Sequence, residues 1–228
     1  MFRLAPLAAL AIAAGCESFP TPAQLDHATV LAVIADPPIV APGGQSGLTV
    51  YVADRTGLIT PPTTWSVIST FPNVPPMGAV TGGQAGTAQY TAPDPVPQLP
   101  PNVPPVDSVQ VQVMSDPPIT AVKLVGVQAG IPSENPTITD VTAGGASART
   151  SSPTLALGSM IELKVITDPA PDEHWSYAWY STIGEIKAYQ SNPTMLDTGD
   201  AAIDGTIFVV VRDGAGGAAV TSIYVMVR

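Results

Sequence analysis

Short runs of branched apolar residues that alternate with polar ones constrain this chain more than any other feature. Val109, Val111 and Val113 alternate with Gln110 and Gln112, while Ile161, Leu163 and Val165 alternate with Glu162 and Lys164. Successive strand residues point to opposite faces, so each run has one apolar face and one polar face. Leu48, Val50 and Val52 repeat the pattern, and Ile207 to Val211 form an unbroken apolar run suited to a central strand. Pro, Gly and Asp punctuate the runs. Beyond the first fifteen residues no comparable stretch sustains a 3.6-residue period. The chain is expected to be all-β.

Strands are expected near 28–35, 46–54, 63–69, 78–81, 87–92, 106–114 and 119–127. A second set is expected near 136–142, 159–167, 175–181, 184–188, 194–196, 204–212 and 218–227. The stretch Gln128 to Glu134 carries Gly130 and Pro132 and reads as a junction. The expected organisation is a sandwich over 28–128, a linker over 129–134 and a second sandwich over 135–228. Seven short strands in each half suit a sandwich better than a barrel.

Charge excludes one class of partner. Eight Lys and Arg face eighteen Asp and Glu, a formal net charge of −10. Nucleic-acid affinity comes from neutralising phosphates with basic side chains, so nucleic acid is not expected. Docking to anionic headgroups fails on the same ground, and any membrane attachment must be apolar.

Such an attachment is written at the start of the chain. Arg3 precedes an apolar run from Leu4 to Ala14, too short for the roughly 20 residues of a spanning helix. Small residues then lead to a cleavage point, the layout of an export signal over residues 1–15. Ala13-Ala14-Gly15-Cys16 resembles the lipobox of bacterial lipoproteins, with Ala13 where Leu is usual, and Cys16 is the only cysteine. The resemblance implies cleavage before Cys16, acylation of its sulfur and attachment to a lipid bilayer. More than one acyl chain makes anchoring stable. Glu17 stands where, in the Gram-negative family, Asp would hold a lipoprotein in the inner membrane, so the outer membrane is expected. Surface and periplasmic orientations both remain open. Residues 16–27 read as a lipidated tether, with 17–27 reaching at most about 36 Å.

Other motifs resemble bacterial immunoglobulin-like and PKD-like modules. Trp65 followed by Gly78-Ala79-Val80, and Trp179 followed by Gly184-Glu185-Ile186, resemble their W…G-x-[IV] pattern. Tyr90-Thr91-Ala92-Pro93 resembles their Y-T-A-P stretch, and the end of the chain resembles their last hairpin. The resemblance implies tandem immunoglobulin-like β-sandwiches with adhesion or spacing roles, and it transfers no catalytic residue. Each tryptophan is expected to fill the space between sheets. Trp175, Tyr177 and Trp179 share one strand face, for which an exposed aromatic ligand patch is the alternative.

Pro72-Asn73-Val74-Pro75-Pro76 recurs as Pro101-Asn102-Val103-Pro104-Pro105, within a run of seven prolines in the thirteen residues from Pro93 to Pro105. Proline lacks the ladder donor, so both copies read as loops of extended backbone. Strand parity places them at the pole where the second domain attaches, where they would stiffen an extended rod; an exposed PxxP ligand is the rival. Loops near 143–154 and 197–203 are expected at the far tip, the first of them flexible or open to a partner.

Reaction chemistry finds few candidates. The two histidines are His27 in the tether and His174 beside Glu173, and neither sits in a zinc-like or nucleophile-elbow motif. No catalytic residue, cofactor or metal ligand is assigned. Asp168, Asp172 and Glu173 share one loop and Asp213 the same pole, which leaves calcium open, although Asp beside Pro or Gly commonly forms turns. The expectation is a non-enzymatic envelope lipoprotein that binds, adheres or spaces, its partners being the bilayer through Cys16 and an envelope protein or glycan. The alternative is an accessory subunit of a larger secretion or surface-assembly complex.

Overall fold

A computed structural model describes residues 22–72, 74–130 and 134–228. Residues 1–15 and Cys16 lie outside the described residues. The strands are β1 Thr29–Asp36, β2 Ile39–Val40, β3 Gln45–Asp54, β4 Gly57–Ile59, β5 Thr63–Ile68, β6 Ala79–Thr81, β7 Thr87–Thr91, β8 Val106–Val113 and β9 Ile119–Val127. They continue as β10 Thr137–Ala143, β11 Ala146–Ser147, β12 Thr154–Leu155, β13 Met160–Asp168, β14 Ser176–Ser181, β15 Glu185–Ile186, β16 Thr194–Asp197, β17 Asp204–Arg212 and β18 Ala218–Val227. Each strand expected from alternation is present. The additional ones, β2, β4, β11 and β12, have two or three residues, too few to display a period.

In the first half, one sheet runs β1-β3-β7-β6 with β4 hairpinned onto β3, and the other runs β2-β9-β8-β5. In the second half, β11-β10-β13-β16-β15 faces β12-β18-β17-β14. The two orders agree in every principal strand and differ in one short piece, which hairpins onto β3 in the first half (β4) and onto β10 in the second (β11). In both, the first strand ends in a short piece that crosses to the opposite sheet and pairs parallel with the last strand: β2 with β9 and β12 with β18. This is the strand order of constant-type immunoglobulin sandwiches. The protein is a tandem of immunoglobulin-like domains.

Inward-facing residues build each core. The first domain packs Leu48, Tyr90, Val109 and Val125 in one cluster and Val50, Val52, Val111 and Val113 in an adjoining one, with Trp65 against both. The second packs Leu163, Val165, Trp179, Ile207, Val209, Val211, Ile223 and Val225. A third cluster lies between the domains, where Leu25, Leu31, Ala32 and Ala53 bury against Ala178, Phe208 and Val210. The unbroken apolar run of β17 is thereby explained. Ile207, Val209 and Val211 face its own core, while Phe208 and Val210 face the other domain.

Two expectations are corrected here. The tether assigned to 16–27 is not free over its described part: Ala23 and Leu25 are each 1% exposed. Gln24 bridges to Ser181 in parallel, the Leu25 N–H donates to the Ser181 carbonyl (3.0 Å), and the Ser181 N–H donates to the Ala23 carbonyl (2.8 Å). The segment covers the edge of β14, whose N–H and C=O groups would otherwise be left unpaired. The extended rod is also overturned, because the outer face of β1 and β3 lies against β14, β17 and β18. The proline loops do sit at the pole where β9 ends, with Val127 donating to the Pro105 carbonyl (2.8 Å). Among the described residues, however, no hydrogen bond joins them to the second domain. Asn135 pins the joint: its Nδ2 donates to the Ala35 carbonyl (2.9 Å), and its Oδ1 accepts from the Ala218 N–H (2.9 Å).

Candidate functional site

A groove of about 780 Å³ lies where the first domain's open seam meets the second domain. One wall is Ala28 and the first part of β1 to Val33, the other is β9 from Ile119 to Leu124, and Gly214, Gly216, Gly217 and Ala218 at the β17–β18 turn also line it. A bulge in β1 between Val30 and Ala32 turns Leu31 toward the second domain, where its carbonyl accepts from Arg212 Nη2 (3.3 Å). From the opposite wall, Lys123 Nζ donates to the Gly216 carbonyl. Burial in this cleft holds the Lys123 pKa below the ordinary lysine value. The groove did not emerge from sequence because it joins segments about 90 and 180 residues apart, and no short motif marks it.

The aromatic face resolves in favour of packing. Trp179 is fully buried, with its indole N–H donating to the Ser191 carbonyl (2.9 Å). Trp175 and Tyr177 pack against the same inner cluster, so the face forms core and the exposed-patch alternative fails. Trp65 is half-buried and donates to Thr63 Oγ1 (3.2 Å).

The motifs that suggested immunoglobulin-like modules also have structural causes. Tyr90 is fully buried, and its hydroxyl donates to Asp107 Oδ2 (2.7 Å). The same buried carboxylate accepts from the amides of Met77 (3.0 Å) and Gly78 (2.6 Å). Burial, followed by the Asp107 hydrogen bond and charge, pushes the Tyr90 phenol far above its usual range. Gly78 is required because a Cβ there would stand 2.5 Å from the Tyr90 ring. Gly184 is required twice over, with φ +58 and a would-be Cβ 2.3 Å from the Asp197 carbonyl oxygen. In G-x-[IV] the glycine permits close approach, and the apolar third residue points inward.

Two of the acidic residues considered for calcium, Asp172 and Asp213, hold turns. Asp172 Oδ1 accepts the His174 amide (2.8 Å), and Asp213 Oδ1 accepts those of Ala215 (2.8 Å) and Gly217 (2.8 Å). Asp168 ends β13 beside Pro169. Among the described residues, no three His, Cys, Asp or Glu side chains are grouped as metal ligands. His174 Nε2 lies 3.9 Å from Glu173 Oε1, both largely exposed, and among the described residues no hydroxyl bonds to the imidazole. The loop after β10 is not a free tip: Ala148 is buried and donates to the Val141 carbonyl (2.8 Å), and Arg149 Nη1 donates to the carbonyls of Ile138 and Thr139.

No family model matches the chain, and no curated protein matches its sequence. Similar solved structures include the N-terminal Ig1-2 module of the Drosophila receptor protein tyrosine phosphatase DLAR. It shows 10% identity and a TM-score of 0.34, with 88% of this chain and 98% of that chain covered. Domains 4–9 of the surface layer protein SbsC show 13% identity and a TM-score of 0.31, covering 90% of this chain and 31% of that one. The class, two immunoglobulin-like sandwiches in tandem, rests on strand order and pairing.

Proposed function

We propose that this chain is a membrane-anchored envelope lipoprotein whose paired sandwiches act as a non-enzymatic binding or adhesion module. The observation that carries the reading is Cys16, the one cysteine of the chain, placed directly after Ala13-Ala14-Gly15. Among the described residues no helix is long and apolar enough to cross a membrane, so the acyl chains at Cys16 are the proposed attachment. Each buried methylene contributes about 0.8 kcal/mol. Support for a binding role comes from two sandwiches joined through the interdomain cluster and Asn135, which together present one continuous surface. The side-by-side domains suit presentation of a surface near the bilayer better than long-range spacing, and the outer membrane is the proposed location.

Metabolic labelling with a clickable palmitate, followed by fractionation, tests the anchor. The wild-type chain should be labelled and pellet with membranes, whereas Cys16→Ser should be unlabelled and soluble. An unlabelled wild type, or a Cys16→Ser variant that still pellets, refutes the anchor.

A further inference from the structure

The first sandwich is open along one seam. β9 pairs with β8 along its whole length, but on its other side β2 meets only Gly126 and Val127. On that outer side the N–H of Gly126 donates to the Pro38 carbonyl (3.2 Å) and that of Gln128 to the Val40 carbonyl (2.8 Å). Ladder groups alternate sides residue by residue, so the N–H and C=O of Thr120, Val122 and Leu124 point the same way, beyond the reach of β2. Among the described residues no protein group bonds them. The second domain differs. Its Ala148–Ser152 stretch lies beside Ser222–Tyr224 of β18, and the hollow between them is smaller, about 320 Å³.

The unpaired edge of β9 runs along the groove described above, with β1 as the facing wall. Val122 and Leu124 stand 51% and 52% exposed, unusual for large apolar residues of a strand. Lys123 and Arg212 reach into the same cleft, and among the described residues neither has a carboxylate at ion-pair distance. Their contacts there are the carbonyls of Gly216 and Leu31. Asp213 acts on Lys123 only from outside ion-pair distance and spends Oδ1 on its own turn, while Asp116 also lines the groove but, among the described residues, makes no ion pair with either cation. In a chain of net charge −10, two cations without acidic partners in one cleft complement an incoming anion.

We propose that this groove is a strand-acceptor site: an extended segment of a partner protein, bearing a carboxylate, adds to the free edge of β9 and sets that carboxylate against Lys123 and Arg212. Main-chain bonds would supply affinity, and the cations would fix register. The inference deepens the binding role and does not depend on the lipid.

The test uses the full chain in detergent micelles and a synthetic peptide, acetyl-Thr-Val-Thr-Glu-Thr-Val-Thr-amide, at millimolar concentration. Its partner peptide carries Lys in place of Glu. Amide exchange, read residue by residue by NMR, should slow about tenfold or more at Thr120, Val122 and Leu124. The Lys peptide should have a smaller effect. Val122→Pro removes an N–H that the fold leaves unpaired, so it should melt close to wild type, yet abolish the protection. Unchanged exchange at the three amides, equal protection by the Lys peptide, or full protection in Val122→Pro overturns the proposal. Acylation of Cys16 is read by a separate label, so either result can fail alone.

Discussion

Asp107 shows how one carboxylate can organise a domain. It is 2% exposed and serves three donors, the Tyr90 hydroxyl and the amides of Met77 and Gly78. Removing the hydroxyl by Tyr90→Phe leaves a buried charge short of a partner, and should cost about 1.5–3 kcal/mol, measured as a lowered guanidinium midpoint at unchanged slope. Gly78→Ala drives a methyl into the Tyr90 ring and should destabilise by ~1–3 kcal/mol in the same assay. The motif residues Gly78 and Tyr90 were legible in the sequence, but Asp107 was not. It reads as a polar residue opening an alternating strand, and only the fold reveals that it points inward. Lys123 gives a pH signature. Its folded pKa is lowered by burial, so between that value and the ordinary value near 10.4 the unfolded chain holds more protons. Stability should therefore rise with pH through that window. The gain should be absent from Lys123→Met in denaturant melts between pH 8 and 10.5.

Among the elements, β17 is the most informative. Its sequence predicted a central strand, and it is central in two senses: paired on both edges by β14 and β18, and covered on one face by its own domain's core and on the other by the cluster between the domains. Alternation carried the strand assignments because each run spans several periods. It could not reveal the segment 23–25, which has one bridge and no repeat. That segment's partner, Ser181, lies more than 150 residues away in the sequence. Prolines at 20 and 22 and the polar residues around them made it read as a tether. Leu25→Ala removes a fully buried side chain at this clasp and should cost ~2–5 kcal/mol, with faster amide exchange at Ser181 as the local readout. The loop 143–154 misled for a similar reason. Its small polar residues suggested freedom, while Ala148 and Arg149 secure it to β10.

For the molecule as a whole, strand direction fixes the poles at which the loops lie but not the relation between domains. The poles follow from strand direction alone, so the proline loops fell where expected. Which outer faces meet depends on side chains that read as ordinary strand residues, among them Leu31, Ala53, Ala178 and Phe208. Phe208→Asp places an unpaired charge in that contact and should part the domains while leaving both sandwiches folded. Small-angle scattering would then give a larger radius of gyration and a longer maximum dimension than wild type, with far-ultraviolet circular dichroism unchanged.

Under the proposed anchoring at Cys16, the clasp of residues 23–25 would reverse the order in which the sandwiches stack above a bilayer. With Cys16 inserted as proposed, at most ~20 Å of contour leads from it to Pro22, and the chain there already lies on the later sandwich. On that proposal the domain encoded last would sit lowest, and the one encoded first would be displayed beside or above it. Nitroxide-labelled lipids should then relax probes on the β14 side of the molecule more strongly than probes on β5 or β6.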